Sequence, residues 1–413
     1  MSDFSFVCNE CGARFAEDRT LYVCPSCARL QVPGSFTRGV LRVELEERAL
    51  PRRWPEAPLA SPAGLAPFLP VRCPESFFSF AAGGTPLLPV PRLREELRMP
   101  HLFLKDDTRN PSGSTKDRAS ALVVAKAIEY GYETVAAAST GNAATALAAA
   151  GAASGVATVV FVPASAPPAK LVQMSSYGAR LVPVAGTYDQ AFELSLAACA
   201  RFGWYNRNTA LNPFTVEGKK TAALEIARDL APEAPDAVVV PTGDGVIVAG
   251  IAKGFADLVR CGLLPRVPRL VAVQPERSGA IARALRTGAA EITPEPGAGS
   301  VADSLTVAAP RNAVMALSDV RASGGCGVLV SEDAILDAIP RLAAATSVFA
   351  EPAAAIALAG LELALAEGKV SREERVVLLV TGTGLKDVPA AARRVLVPEP
   401  VEPTMEAVEA LFG

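Results

Sequence analysis

The chain has 413 residues, half of them hydrophobic and a fifth charged, enough apolar material for two or three domain-sized cores and too much for intrinsic disorder. Forty basic against 43 acidic side chains leave a net charge of −3, which excludes a broad basic surface for nucleic acid or an anionic membrane. His101 is the single histidine, so His-based triads and His-rich metal sites drop out and proton transfer falls to Lys, Asp, Glu, Tyr, Cys or a cofactor.

The first ten residues hold neither a basic stretch nor an apolar run, so no secretory signal and a cytoplasmic setting are expected. Cys8, Cys11, Cys24 and Cys27 follow as C-x2-C-x12-C-x2-C. Two such knuckles facing each other can place four thiolates tetrahedrally around Zn²⁺. Strands are expected at Phe6-Val7 and Leu21-Tyr22-Val23, with Gly12 permitting the turn after Cys11. A pair of disulfides is the alternative, disfavoured without an export signal. Four protein ligands leave no position for substrate, so the zinc would be structural. Cys73, Cys199, Cys261 and Cys326 are scattered and read as small core hydrophobes.

Residues 1–48 therefore form a zinc-ribbon-like segment, and the Pro-rich stretch 49–84 reads as a linker. From 85 to 397 short β-branched runs alternate with Ala/Leu-rich helical patterns. Strands are expected at 101–105, 134–138, 157–162, 180–184, 237–240, 270–274 and 375–380, an α/β body of doubly wound parallel sheets. Residues 134–169 carry no charge and are long enough to span a bilayer. They read as strand, polar turn, Ala-rich helix and strand, which fits a buried βαβ unit, and no membrane span is expected. Residues 398–413 read as a peripheral tail.

Four polar or Gly-rich segments interrupt the apolar runs: NPSGSTKDR at 110–118, STGN at 139–142, PTGDG at 241–245 and TGTGLKD at 381–387. Three of them sit where a strand ends, the edge at which open α/β sheets gather ligands. Singly they say little. Lys116 is followed by Asp117, so its loop is no Walker motif, and alone it reads as an exposed lysine in a first helical turn. The turn before Val246 could cradle a phosphate or be an ordinary tight turn.

Together and in order, these segments resemble the fold-type II family of pyridoxal-phosphate enzymes, and within it the threonine synthase family. GTPL at 84–87, NPFTVEGKKT at 212–221 (against the family's NPxRxEGQKT) and Glu351-Pro352 belong to the same series. The resemblance implies two doubly wound α/β subdomains behind the ribbon-like element, the smaller, about 120–210, inserted in the larger. It also implies roles. Lys116 would form the Schiff base with pyridoxal 5′-phosphate and then shuttle protons. Asn142 would bond the cofactor's 3′ oxygen, and Thr381 its ring nitrogen. Thr242, Gly243, Asp244, Gly245 and Val246 would hold its phosphate, an awkward place for Asp244 unless that side chain turns away. Ser114, Ser139, Thr140 and Thr215 would face an amino-acid substrate, with Ser139 and Thr140 taking its carboxylate.

The departures bear on that substrate. The family carries an arginine at the position of Thr215, gripping the phosphate of O-phosphohomoserine, and a threonine hydroxyl supplies neither its charge nor its fork. Thr209, Ala143 and Thr115 replace an asparagine, a threonine and a phenylalanine usual in the family. Lys219, Lys220 and Lys253 are the nearest substitute cations by sequence, yet the family pattern puts none of them in that role.

A lyase or replacement enzyme, threonine synthase-like, is therefore expected, acting on a phosphorylated amino acid. β-Replacement on phosphoserine or a related amino acid and serine/threonine deamination are its rivals, and a homodimer is left open. A non-catalytic zinc-ribbon binding protein is the alternative from another class, opposed by the retained Lys116, Asn142 and Thr381. Nucleic-acid binding is the poorest reading, since Arg14, Arg19 and Arg29 are offset by Asp3, Glu10, Glu17 and Asp18.

Overall fold

A computed structural model describes residues 3–139, 141–164, 168–297 and 299–412. The chain opens with an antiparallel sheet of β1 (Phe4–Cys8), β2 (Arg14–Phe15) and β3 (Leu41–Leu45), in the order β2-β1-β3. Alternate residues Phe4, Phe6 and Cys8, and Leu41, Val43 and Leu45, face one core, the period-2 pattern of a one-sided sheet. The strand expected at 21–23 is reduced to a single bridge between Val23 and Val40. Cys24 leads straight into the short helix Pro25–Ala28, so only one residue stays extended long enough to pair.

The stretch read as a linker is packed. Leu50, Leu59, Leu65, Phe68, Leu69, Phe77 and Phe80 are buried in the same core as the ribbon. Its prolines begin single-turn helices, as Pro74 does for Pro74–Phe78, which explains why the segment looks irregular in sequence yet lies down on the body.

The body is built on two sheets. The smaller, β6 (Thr134–Ala138), β7 (Ala157–Pro163), β8 (Arg180–Val184) and β9 (Tyr205–Asn206), is parallel in the order β8-β7-β6-β9. It is inserted in sequence between the first and later strands of the larger sheet. That sheet takes β4 (Leu87–Leu88), β5 (Leu102–Asp106), β10 (Ala237–Pro241), β11 (Arg269–Pro275), β12 (Cys326–Val330) and β13 (Val376–Val380). Its order is β12-β11-β10-β13-β5-β4, parallel except for β4. Both of its faces are covered: Val238, Val240, Leu270 and Leu379 enter one core, and Ala237, Val239, Val271 and Leu378 the other. Buried on both sides, these strands read as continuous apolar runs.

All seven expected body strands are present within a residue of their expected ends. The uncharged run resolves into β6, a helix and β7, and among the described residues no helix is long and apolar enough to cross a membrane. The tail carries the helix Met405–Phe412, none of whose residues is buried.

Candidate active site

Lys116 opens α1 (Lys116–Glu129), and the loop before it is fixed by burial of charge. Arg118, fully buried, grips Asp107 through Nε and Nη2 at 2.9 and 2.7 Å. The same guanidinium holds Glu225 at 2.6 and 2.8 Å, and Lys105 adds a second cation 2.8 Å from that carboxylate. In spite of burial, Arg118 and Lys105 hold Glu225 well below the usual carboxylate range and lower Asp107 as well. The other flank is stitched to the loop after β13: Thr115 N donates to Thr381 O at 2.8 Å, and Thr383 N to Gly113 O at 3.0 Å. Burial brings the Lys116 amine down to about 8; Glu351 opposes the shift and Arg207 adds to it.

Three further segments close around this amine. Asn142 begins α2 (Asn142–Ser154); its Nδ2 donates to Glu351 Oε1 at 2.7 Å, while its buried Oδ1 has no partner. Ser139 accepts from Gly141 N through its hydroxyl at 3.2 Å. Thr140 lies outside the described residues. Thr381, buried at the end of β13, donates to Ala353 O at 3.5 Å, and the buried Ser114 hydroxyl has no partner.

The PTGDG turn lies between β10 and a helix whose N-terminus is open. Thr242 N donates to Val273 O, whereas the amides of Gly243, Asp244, Gly245 and Val246 donate to no described group. Gly245 has φ +91°, and a Cβ there would lie 2.8 Å from Ala316 Cβ, so only glycine closes this turn. The Asp244 carboxylate is engaged by a neighbouring loop: its Oδ1 accepts from Arg311 N at 3.1 Å. Four free amides suit a phosphate dianion. With the unpartnered Ser114 Oγ and Asn142 Oδ1 and the primary amine of Lys116, the residues present fit pyridoxal phosphate.

Substrate-side residues are less as expected. Thr215 stands on α3 (Phe214–Lys219), fully buried, and its hydroxyl donates to Asn212 O at 2.8 Å, so that donor is spent inside its own turn. Lys220 and Lys253 are consumed by Asp257 on α4 (Val246–Arg260), at 2.9 and 2.5 Å, and by Glu217. Lys219 alone of the three lysines has no partner for its Nζ. Arg207, buried just after β9, and Glu351, at the head of α5 (Pro352–Ala366), also belong to the site without having been assigned a role from sequence. Glu351 had a signal in its Glu-Pro pair. Arg207 had none.

In the ribbon the four expected cysteines converge. Their sulfurs lie within 4.8 Å of one another, with Cys8–Cys27 at 3.7 Å and Cys11–Cys24 at 3.8 Å, and none is bridged. A tetrahedral tetrathiolate with Zn–S of about 2.3 Å has sulfur–sulfur edges of about 3.8 Å, so the donor set fits the ion.

Fold and site together define a pyridoxal-phosphate dependent enzyme, and a family model of that description matches residues 78–382. The chain is 35% identical over 409 residues to the threonine synthase of Methanosarcina acetivorans, covering 98% of each chain. It is 33% identical over 410 residues to that of Methanocaldococcus jannaschii, again with 98% of each covered. Among solved structures, the processed threonine deaminase isoform 2 of Solanum lycopersicum shares the fold, with a TM-score of 0.66, 22% identity and coverage of 78% of this chain and 90% of that one. The chain belongs to the pyridoxal-phosphate dependent family, on its threonine synthase branch.

Proposed function

We propose that the protein is a threonine synthase, a lyase that removes phosphate from O-phosphohomoserine and adds water to give L-threonine. The similarity to the Methanosarcina acetivorans threonine synthase over 98% of both chains, ribbon included, carries this reading. When bound, the cofactor delocalises the electron pair left by loss of a proton beside the substrate's amino group. Lys116, its amine lowered to about 8 by burial, is poised to take and return protons near neutral pH. The four free amides from Gly243 to Val246 would hold the cofactor phosphate, and the Thr381 hydroxyl would bond the ring nitrogen without protonating it. Ser139, just before α2, receives the substrate carboxylate together with Thr140. The four ribbon cysteines hold a structural zinc ion, and the enzyme works in the cytoplasm.

Thr215 favours a second reading. With its hydroxyl turned inward it offers no charge to a phosphate carried on Cγ, which suits a deaminase acting on serine or threonine, or β-replacement on phosphoserine, whose phosphate sits one carbon nearer the amino group. A panel decides: O-phosphohomoserine, O-phosphoserine, serine and threonine are added to holoenzyme, and phosphate, ammonia and threonine are measured. Threonine with phosphate from O-phosphohomoserine alone supports the first reading. Ammonia from serine or threonine, or phosphate from O-phosphoserine, establishes the second.

A further inference from the structure

Two buried cations remain unexplained by the site as described. Lys219 and Arg207 are each 1% exposed, and neither forms an ion pair among the described residues. Lys219 Nζ meets no acceptor. Arg207 donates from Nε to Ser120 Oγ at 3.2 Å and from Nη1 to Thr209 Oγ1 at 2.8 Å, but its buried Nη2 is free. A buried cation without an anion is costly, and Arg207 adds repulsion at Lys219. Their company shows where an anion would sit. Ser120 lies four residues along α1 from Lys116, so Arg207 is tied to the face of the helix that carries the reactive amine. Lys219 lies four residues along α3 from Thr215, and helical side chains lean back over the preceding turn. Burial and the positive charges of Arg207 and Lys116 hold the Lys219 amine well below an ordinary lysine, with Asp244 a lesser, opposing neighbour.

We propose that Lys219 and Arg207 form the seat for the phosphate monoester on the substrate's side chain, the cation moved one helical turn from position 215 to 219. The argument is one of charge and of donors already spoken for. A phosphate monoester carries close to two negative charges at pH 7, which suit Arg207 and a Lys219 amine that takes up a proton as the anion arrives. The cofactor's phosphate does not need them, because the four free amides at the head of α4 serve it. Lys220 and Lys253 cannot serve, being held by Asp257 and Glu217. This seat rests on the threonine synthase reading, since it requires a phosphorylated amino acid.

The test uses full-length holoenzyme and two probes, a phosphonate isostere of O-phosphohomoserine and L-homoserine, which lacks the phosphate. Dissociation constants are read from the change each causes in the visible absorbance of the bound cofactor. Glutamine stands at position 219 in the family segment, so Lys219→Gln keeps a side chain this fold accommodates. It is expected to weaken the phosphonate by about 10- to 100-fold, the range for one charge-assisted hydrogen bond, and homoserine by no more than about twofold. Arg207→Lys keeps the charge but loses the fork; it gives a smaller selective loss and decides the matter if the first variant is unstable. Equal weakening of both probes, or an unchanged phosphonate-to-homoserine ratio with reduced cofactor content, overturns the seat and assigns the cations to the cofactor's phosphate. A wild-type enzyme with no preference for the phosphonate overturns both the seat and the threonine synthase reading. Preference in the wild type that persists in both variants overturns the seat alone.

Discussion

Lys116 is made reactive by what surrounds it, not by a bond of its own. Its amine is down to about 8 from an ordinary value of 10.5, chiefly through burial. The neutral amine is the nucleophile, so capture of pyridoxal phosphate by cofactor-free full-length protein should accelerate with pH through a midpoint near pH 8 and level off above it. A rate still climbing at pH 10 would show an ordinary lysine. Lys116→Ala should leave no covalent link at all, and borohydride reduction of the wild type should place the pyridoxyl group on the Lys116 peptide, read by mass spectrometry. Arg118 matters to stability. Arg118→Met leaves the buried carboxylate of Asp107 without a cation and Glu225 with Lys105 alone, and should cost about 3–5 kcal/mol, measured by denaturant unfolding. At this scale the sequence shows Lys116, Asn142 and Thr381 because each lies in a short local motif. It does not show which of two adjacent lysines is neutralised: Lys220 finds Asp257 on α4 and Lys219 finds nothing, a distinction made only by helix packing.

The elements place the site by where they begin. α2 and α4 start at the carboxyl ends of β6 and β10, so both deliver N-terminal amides to the same edge of the molecule. Gly245 sets the angle at which α4 departs. Gly245→Ala forces a side chain into φ +91° and against Ala316, with strain of about 1–3 kcal/mol. Its expected signature is a weaker grip on cofactor, seen as partial loss during dialysis of the holoenzyme. The long strands are legible in sequence because burial on both faces leaves continuous β-branched runs. β4 and β9 are not, since two residues carry no period. β12 is hidden by Gly327, where a Cβ would strike Ala282, so a packing requirement removes the strand-like residue from the strand's second position.

At the scale of the molecule, the ribbon is a buttress. Phe4 and Phe6 meet Phe214 edge-on at 5.8 and 5.7 Å, and Phe214 begins the helix that carries Thr215 and Lys219. Lys126, buried under this contact, pairs with Glu17 and Glu129, and Thr37 N donates to the carbonyl of Arg311, whose own amide holds Asp244. Chelation of the zinc proposed for the ribbon, or Cys24→Ser, should therefore lower Tm and raise KM for the phosphorylated substrate more than it lowers kcat, since the elements displaced carry the proposed substrate seat and not Lys116. A change confined to Tm would mean the ribbon only adds stability. The packed 49–84 segment belongs to the same buttress; its prolines conceal it from sequence by breaking every helical period longer than one turn.

The strand order of the larger sheet has a consequence for synthesis on the ribosome. β13, the last strand to be made, lies between β10 and β5, near the middle of the sheet. Until residues 376–380 emerge, β5 and β10 face a gap one strand wide, with two apolar edges unpaired and Lys116 cut off from Thr381. Growth from the N-terminus cannot close this fold progressively; the sheet is keyed shut by one of the final segments. A chain ending before residue 376 should accumulate as aggregate, while one ending after residue 397 should remain in the supernatant, as fractionation of cell-free translation products would reveal. Nascent chains are thus exposed to misassociation for most of their elongation, and the span from β5 to β13 measures how long a chaperone would have to shield them.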